Sequence, residues 1–424
     1  MEAQIYFDNS ATTPVDPKMA EKMSLFIREC YGNPSSMHKT GREARNAVEE
    51  ARKQVADLLH ANPGEVVFTG SGTEADNLAL VGVFDTFGDI PFHLITSKIE
   101  HPAILESCRY LEKRGADITY LEVDASGLVN PVCLEKAFRP STRLVSIMTA
   151  NNVVGTIQPI RELARITHQH GAIFHTDAVQ ALGRIPLDFW GDVDLVSVSA
   201  HKIYGPKGVG ALYIRSGLPL EPLLHGGGQE AGRRSSTENV PGIIGFEKAA
   251  EIARNNMAGE TARLVQLRER LIDGILERIN NAYLIGHRHL RLPGHVSVGF
   301  AGQEGEAIKL LLALDEAGIA ISAGSACSSG HAAEPSYVLQ ALGFDPLKAR
   351  GGLRITLGRF NTVAEEERFL DILPGVVREM RPITSRNIAS RSNVSKKKWN
   401  KGELMIHDSE ITGNELRAVR LPDL

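Results

Sequence analysis

A lysine and an aspartate each stand just past the end of a buried-looking apolar run. Lys202 lies in Ser199-Ala200-His201-Lys202, directly after Leu195-Val196-Ser197-Val198 and before the turn Ile203-Tyr204-Gly205-Pro206-Lys207-Gly208. An ammonium there loses hydration, which favours the neutral amine. A neutral, positioned amine can form a Schiff base with an aldehyde. The competing reading is a lysine that snorkels to solvent from a strand end. Asp177 closes the run Ile173-Phe174-His175-Thr176-Asp177. A carboxylate in that position needs a cation or several donors to stay ionised. A protonated pyridine nitrogen would serve, and so would the amides of a following turn that the aspartate caps.

Asp177 and Lys202 fall on successive candidate strands, which brings both to one sheet edge, where open α/β sheets bind ligands. An Asp for a pyridine nitrogen and a Lys for an aldehyde are the two groups that a pyridoxal 5'-phosphate site requires. Ser199 and His201 flank the lysine and could bind the phosphate. Thr69-Gly70-Ser71-Gly72-Thr73-Glu74 follows a strand and opens a helix. Its glycines let backbone N–H groups approach an anion, and Thr73 can add a hydroxyl. The plainer reading is a tight turn in which Thr73 caps the helix. Ile99-Glu100-His101-Pro102 follows another strand. His101 there could stack on a flat ring and move protons at neutral pH, or serve as a structural hydrogen bonder.

These residues need a scaffold. The 424-residue chain is 42% hydrophobic and 23% charged, with a net charge of -4, enough for two domains and a large core. That charge gives no general affinity for nucleic acid or an anionic membrane, so neither is expected as a direct partner. No run approaches the ~20 apolar residues of a membrane span, and the N-terminus lacks the pattern of a signal peptide. Four cysteines, none in Cys-x-x-Cys spacing, fit a reducing cytoplasm and predict neither a zinc site nor a disulfide framework.

Candidate strands fall at Glu65–Thr69, Phe92–Ser97, Asp117–Leu121, Leu144–Thr149, Ala172–Thr176, Leu195–Ser199 and Gly210–Ile214. Helical patterns at Thr73–Phe84, Ala103–Arg114 and Ile160–His170 alternate with them, which predicts an α/β domain with a mostly parallel sheet. Gly41 to Ala61 reads as an amphipathic helix with Ala44, Val48, Ala51, Val55 and Leu58 on one face. Leu264 to Ile279 reads as a helical connector to a smaller α+β domain holding Val296–Phe300, Ala307–Ala317, Pro335–Leu342 and Leu353–Thr356. The expected division is 16–260 for the large domain, 1–15 with 261–384 for the small one, and 385–424 for a polar, solvated tail that carries Lys396-Lys397-Lys398.

The chain resembles the class V aminotransferase superfamily of fold-type I pyridoxal phosphate enzymes, and within it the NifS/IscS-type cysteine desulfurases. The matching segments are the lysine segment, Tyr6-Phe-Asp-Asn-Ser-Ala-Thr-Thr-Pro14, Gly32-Asn-Pro-Ser-Ser36, Asn151-Asn152, Gly226-Gly-Gly-Gln-Glu230 and Ser322-Ala-Gly-Ser-Ala-Cys327. The resemblance implies a large domain with a seven-stranded, mostly parallel sheet and a smaller α+β domain. It implies that Asp177 pairs with the pyridine nitrogen, that Asn152 and Gln180 lie near the ring oxygen, and that His101 stacks on the ring. Gly72, Thr73, Ser199 and His201 would hold the phosphate. Thr237 would reach the phosphate of a neighbouring subunit, which implies a homodimer. Arg354 would grip the substrate carboxylate, with Asn152 beside it.

Cys327 selects among reactions. Ala323-Gly324-Ser325-Ala326-Cys327-Ser328-Ser329-Gly330-His331 is small, polar and Gly-rich, the composition of an exposed loop, and a nucleophilic thiol needs access. Cys30, Cys108 and Cys133 lie in helix-like segments and read as inert, buried cysteines. The implied reaction converts L-cysteine to L-alanine and leaves a persulfide on Cys327. The sulfur then passes to an iron–sulfur scaffold protein or another acceptor. No resident metal is implied, although Cys327 is a candidate transient iron–sulfur ligand. The rivals are another class V reaction (transamination or selenocysteine lysis) and a non-catalytic protein that kept the fold. Two features depart from the family pattern: Cys327 to Pro335 is one residue longer and carries His331, and the chain after Ser385 does not match the family ending.

Overall fold

Runs of Val, Ile and Leu that are apolar on both faces must be covered on both sides, and they are. A computed structural model describes residues 4–187, 191–324 and 334–380. The chain opens with β1 (Ile5–Tyr6), α1 (Pro17–Glu29) and α2 (Lys39–Leu58). The large sheet then forms from β2 (Val66–Thr69), β3 (His93–Ser97), β4 (Asp117–Leu121), β5 (Thr142–Ser146), β6 (Ile173–Asp177), β7 (Leu195–Ser199) and β8 (Gly210–Ile214). Their order is β2-β8-β7-β6-β5-β3-β4. All pairings are parallel except those that β8 makes with β2 and β7. The expected seven-stranded, mostly parallel α/β sheet is therefore present, with β8 as its one reversed strand.

Between these strands lie α3 (Gly72–Phe87), α4 (Pro102–Lys113), α5 (Pro131–Ala137) and α6 (Ile160–Gln169). One face of the sheet packs on α3 and α4 through Val67, Leu94, Leu144, Leu195 and Leu212. The other packs on α2 and α6 through Phe68, Ile95, Val145, Phe174 and Val196. This two-sided cover explains why the strands read as continuous apolar runs rather than alternations.

The next helix corrects the sequence reading. The expected connector Leu264–Ile279 is the second half of a 39-residue helix, α7 (Val240–Arg278). Pro241 and Gly242 look like breakers, but Pro is tolerated in a first helical turn, where its missing N–H has no partner to lose. Asn239 caps that turn by accepting from the Gly242 N–H at 3.1 Å.

A second sheet has the order β12-β13-β10-β9, from β9 (Ala282–Leu284), β10 (His295–Phe300), β12 (Ser322–Ala323) and β13 (Leu353–Thr356). The short β11 (Ile319–Ala320) pairs in parallel with β1. With α8 (Ala307–Glu316) and α10 (Val363–Glu379), the second half of α7 surrounds a separate apolar cluster that includes Phe7, Leu271, Val298, Leu310, Ile355 and Phe369. The expected Pro335–Leu342 element is a short helix, α9 (Tyr337–Ala341). The cysteine reading needs correction too: Cys108 is buried, but Cys30 is half-buried and Cys133 is exposed. In α5 only Leu134 is buried, so its neighbours face water. Cys327 and the tail 385–424 lie outside the described residues. Among the described residues, no helix is long and apolar enough to cross a membrane, and no cluster of His, Cys, Asp and Glu could hold a metal ion.

One buried ion pair fastens the segment that follows β8. Arg52 on α2 donates from Nη1 to Glu230 Oε2 at 2.6 Å and from Nη2 to Oε1 at 2.9 Å. Their side chains are 11% and 3% exposed. Glu230 also accepts from the Phe68 N–H on β2 at 2.9 Å. Its φ of 50° is uncommon for a non-glycine residue, and these bonds hold it there. Removing the cation leaves a buried carboxylate uncompensated. Arg52→Ala should therefore lower unfolding stability by roughly 3–5 kcal/mol in a denaturant titration; a loss below about 1 kcal/mol would show that the pair is not structural.

Candidate active site

The parallel pairing of β6 and β7 sets Asp177 opposite Ser197. Both strands thus end at the same edge, and β7 continues into a single 3₁₀ turn, Ala200–Lys202. A cavity of about 330 Å³ opens there. Gly72, Thr73, His101, Asn152, Asp177, Gln180, Ser199, His201 and Lys202 all line it. Nine of the expected site residues, spread over 131 positions of sequence from Gly72 to Lys202, are thereby brought together. Arg354 and Thr237 do not line it, and Cys327 lies outside the described residues.

At one pole, Lys202 does not snorkel away. Its Nζ donates to Ala11 O at 2.8 Å and to Ser10 O, both from the N-terminal segment. These two carbonyls aim the amine along the cavity wall. Ser10 O also accepts from Gln180 Nε2 at 3.0 Å. Ser10 and Ala11 line the cavity, yet their role is carried by backbone carbonyls that no side chain announces.

Asp177 is 6% exposed. The Val179 N–H donates to its Oδ1 at 2.8 Å, so it caps the next turn and faces the cavity at once. Burial pushes its carboxyl pKa up, while the nearby His101 and Lys202 pull it down. His101 likewise fills both of its proposed roles. It is the N-cap of α4, with its Nδ1 accepting from the Ala103 N–H at 3.1 Å. That bond assigns the ring proton of the neutral form to Nε2. Burial lowers its pKa, the Asp177 charge raises it and Lys202 lowers it further.

At the other pole, α3 points its first turn at the cavity. Thr73 is not the cap: Ser71 is, its Oγ accepting from the Glu74 N–H at 3.1 Å. A helix start presents N–H groups without intrahelical partners, an anion site in waiting. A Cβ on Gly72 would fall 2.8 Å from Val179 Cγ2, so only glycine lets the chain pass this close. His201 sets Nδ1 3.1 Å from the Thr12 hydroxyl. Burial, aided by Lys202 and Lys207, lowers its pKa to about 4, so the ring is neutral at physiological pH.

Arg354 lies on β13 and is 1% exposed. Its Nη1 donates to Asn152 O at 3.0 Å and its Nη2 to Asp8 Oδ1 at 2.9 Å. The guanidinium reaches the cavity wall through Asn152. Thr237 is exposed, on the segment between β8 and α7.

Two buried carboxyls escaped the sequence reading. Asp76 lines the cavity and is 1% exposed. Burial and the Asp177 charge push its carboxyl up. Glu100, fully buried, accepts from the Ser97 hydroxyl at 2.5 Å and from the Met148 N–H at 3.0 Å. Burial raises its pKa to about 8. Glu100 could have been noticed as an acid following a buried strand. Asp76 gives no such signal, because its helix is apolar on nearly every side.

Residues 5–369 match the family profile described as aminotransferase class-V. The chain belongs to that family. It is 48% identical over 386 residues to a cysteine desulfurase IscS of Dictyoglomus turgidum, covering 91% of this chain and 97% of that one. It is 47% identical to a cysteine desulfurase IscS of Methanosarcina thermophila, covering 90% and 95%. Among solved structures, a NifS-like protein superposes with a TM-score of 0.83 at 41% identity, over 89% of this chain and all of that one. The architecture is thus fold type I, and the class V chain is a pyridoxal phosphate-dependent enzyme. Its cavity fits that cofactor on its own terms. Gln180 Oε1 is buried without a hydrogen-bond partner, Gly72 leaves room that a Cβ would close, a helix start awaits an anion, and Asp177 supplies a buried carboxylate for a cationic ring nitrogen.

Glu100 generates a pH dependence. Its folded pKa of about 8 lies above the ordinary carboxylate value, so the folded state holds a proton that the unfolded state has lost. Its stabilising contribution is present below the ordinary value and is lost as pH rises through about 8. Thermal melts from about pH 6 to about pH 9 should show a falling midpoint that is flatter in Glu100→Gln. An identical slope in both proteins would mean that Glu100 is ionised throughout.

Proposed function

We propose that the protein is a cysteine desulfurase that converts L-cysteine to L-alanine and collects the sulfur as a persulfide on Cys327. What carries the reading is the lysine and aspartate placed across one cavity, in a chain that matches proteins named cysteine desulfurase over 91% of its length. Bound pyridoxal phosphate supplies an electron sink at the substrate Cα. The chain supplies the rest. Lys202 would hold the cofactor and, once free, would take the Cα proton at Nζ. Asp177 would keep the ring nitrogen protonated. Asn152 and Gln180 would meet the ring oxygen, and the start of α3, with Thr73, Ser199 and His201, would hold the phosphate.

His101, its Nε2–H free of the capping bond, would lie against the ring and serve proton transfers. Arg354, steadied by Asp8 and Asn152, takes the substrate carboxylate; a guanidinium fork suits that ligand by paired hydrogen bonds. The Cys327 thiolate attacks the substrate sulfur. The C–S bond breaks as the S–S bond forms, and the three-carbon product leaves as alanine after protonation. Cys327 then hands its sulfur to an acceptor, of which an iron–sulfur scaffold protein is one class. The exposure of Thr237 supports a role in a neighbouring subunit's phosphate site and hence a homodimer. A catalytic thiol supports a reducing, cytoplasmic setting.

Cys327→Ala should keep the near-visible absorbance of lysine-bound cofactor and lose alanine and sulfide release from L-cysteine. Lys202→Ala should lose the absorbance itself. Pyridoxamine phosphate and a keto acid in place of alanine would identify a transaminase instead. Arg354→Lys should raise KM for L-cysteine about tenfold or more, since a lysine cannot reproduce the fork; an unchanged KM would remove Arg354 from the substrate site.

A further inference from the structure

The start of α3 holds an unexplained contradiction. A helix N-terminus draws an anion through its dipole and its unpaired amides. Yet the third residue of α3, Glu74, places a carboxylate on that same turn. Its Oε2 accepts from the Gly70 N–H at 2.8 Å, while its own N–H donates to Ser71 Oγ at 3.1 Å. Glu74 thereby closes the Gly70-Ser71 turn over the helix start. A Cβ on Gly70 would sit 2.7 Å from that oxygen. The turn is well built, but its keystone is a negative charge on the same first turn that would hold a phosphate dianion, and like charges repel more strongly where water is partly excluded.

Arg234 resolves the conflict. It donates from Nε to Glu74 Oε1 at 2.7 Å and from Nη2 to Oε2 at 3.2 Å, a two-point contact that covers both carboxylate oxygens. The two side chains are 18% and 20% exposed, so water screens the pair only in part. Arg234 is also delivered independently of Glu74. Its segment is fixed by the Arg52–Glu230 pair, by the Gly228 N–H donating to Ser235 Oγ at 3.2 Å, and by the Ser235 N–H donating to Leu224 O at 3.2 Å.

We infer that Glu74 and Arg234 are a matched pair of positioning residues for the cofactor phosphate: Glu74 fixes the backbone of the cradle, and Arg234 cancels the charge that Glu74 would otherwise set against the ligand. The inference rests on the reading that the phosphate lies at the start of α3. Its signature is an asymmetry. Losing Arg234 alone exposes the carboxylate and weakens phosphate binding. Losing both charges does not, because Gln at position 74 still accepts from the Gly70 N–H.

The test uses the full-length protein stripped of cofactor and titrated with pyridoxal phosphate and, separately, with pyridoxal, which lacks the phosphate. Binding is followed by absorbance and protein fluorescence. Arg234→Gln should weaken pyridoxal phosphate binding about tenfold while changing pyridoxal binding less than about threefold. The double variant Glu74→Gln with Arg234→Gln should recover most of the loss, and Arg234→Lys should retain most of the wild-type affinity. Equal losses for both ligands, or a double variant as weak as Arg234→Gln, would overturn the pairing. A wild-type protein that binds pyridoxal as tightly as pyridoxal phosphate would instead overturn the placement of the phosphate.

Discussion

Two buried strands run side by side in the same direction, and each delivers an ionisable group to the edge where it ends. Asp177 closes β6, and Lys202 follows β7 by one tight turn. Parallel pairing makes the two ends coincide. Every other feature of the site depends on that coincidence. The helix starts of α3 and α4 arrive at the same edge because each follows a strand of the same sheet, so the anion-binding turn and His101 enter without further design. The N-terminal segment crosses this edge and turns two backbone carbonyls toward the Lys202 amine.

The price of this arrangement is electrostatic. Asp177 lies among buried acids, with Asp76 and Glu100 both raised by burial and both felt by its charge. Beneath them, His175 sits between Ser146 Oγ at 2.8 Å and Ser197 Oγ at 3.0 Å, and burial lowers its pKa to about 3. Burial raises all three carboxyls, but of the three only Asp177 is drawn back down by nearby basic groups, His101 and Lys202. At the start of α3 the same problem is met with a cation, Arg234 against Glu74. Burial therefore pushes carboxyl pKa values up in one place and is met by ion pairing in the other, the two standard responses to charge in a low-dielectric interior.

Much of this was legible in the sequence because polar residues at the ends of apolar runs have few structural excuses. Lys202, Asp177 and His101 were found that way, the Gly72 turn by its glycines between a strand and a helix, and all line one cavity. The strand ranges were close for the same reason, although β5 begins at Thr142 and ends at Ser146 rather than spanning Leu144–Thr149. What escaped was non-local or carried by the backbone. The bond from Arg354 to Asp8 joins residues 346 positions apart. Ser10 and Ala11 act through carbonyls. The first half of α7 was not expected as a helix; it begins with Pro241 and Gly242, which resemble a break but sit where a helix tolerates them. Residues singled out by resemblance alone, such as Thr237 and Arg354, do not line the cavity, and no local pattern announced them.

The central claim is that one lysine, positioned by the end of β7, holds the cofactor. Borohydride reduction of the protein as purified, followed by peptide mapping, tests it most directly. The account predicts a single pyridoxyl adduct on the peptide that contains Lys202. An adduct on a different lysine, or a reduced protein with none, would contradict it.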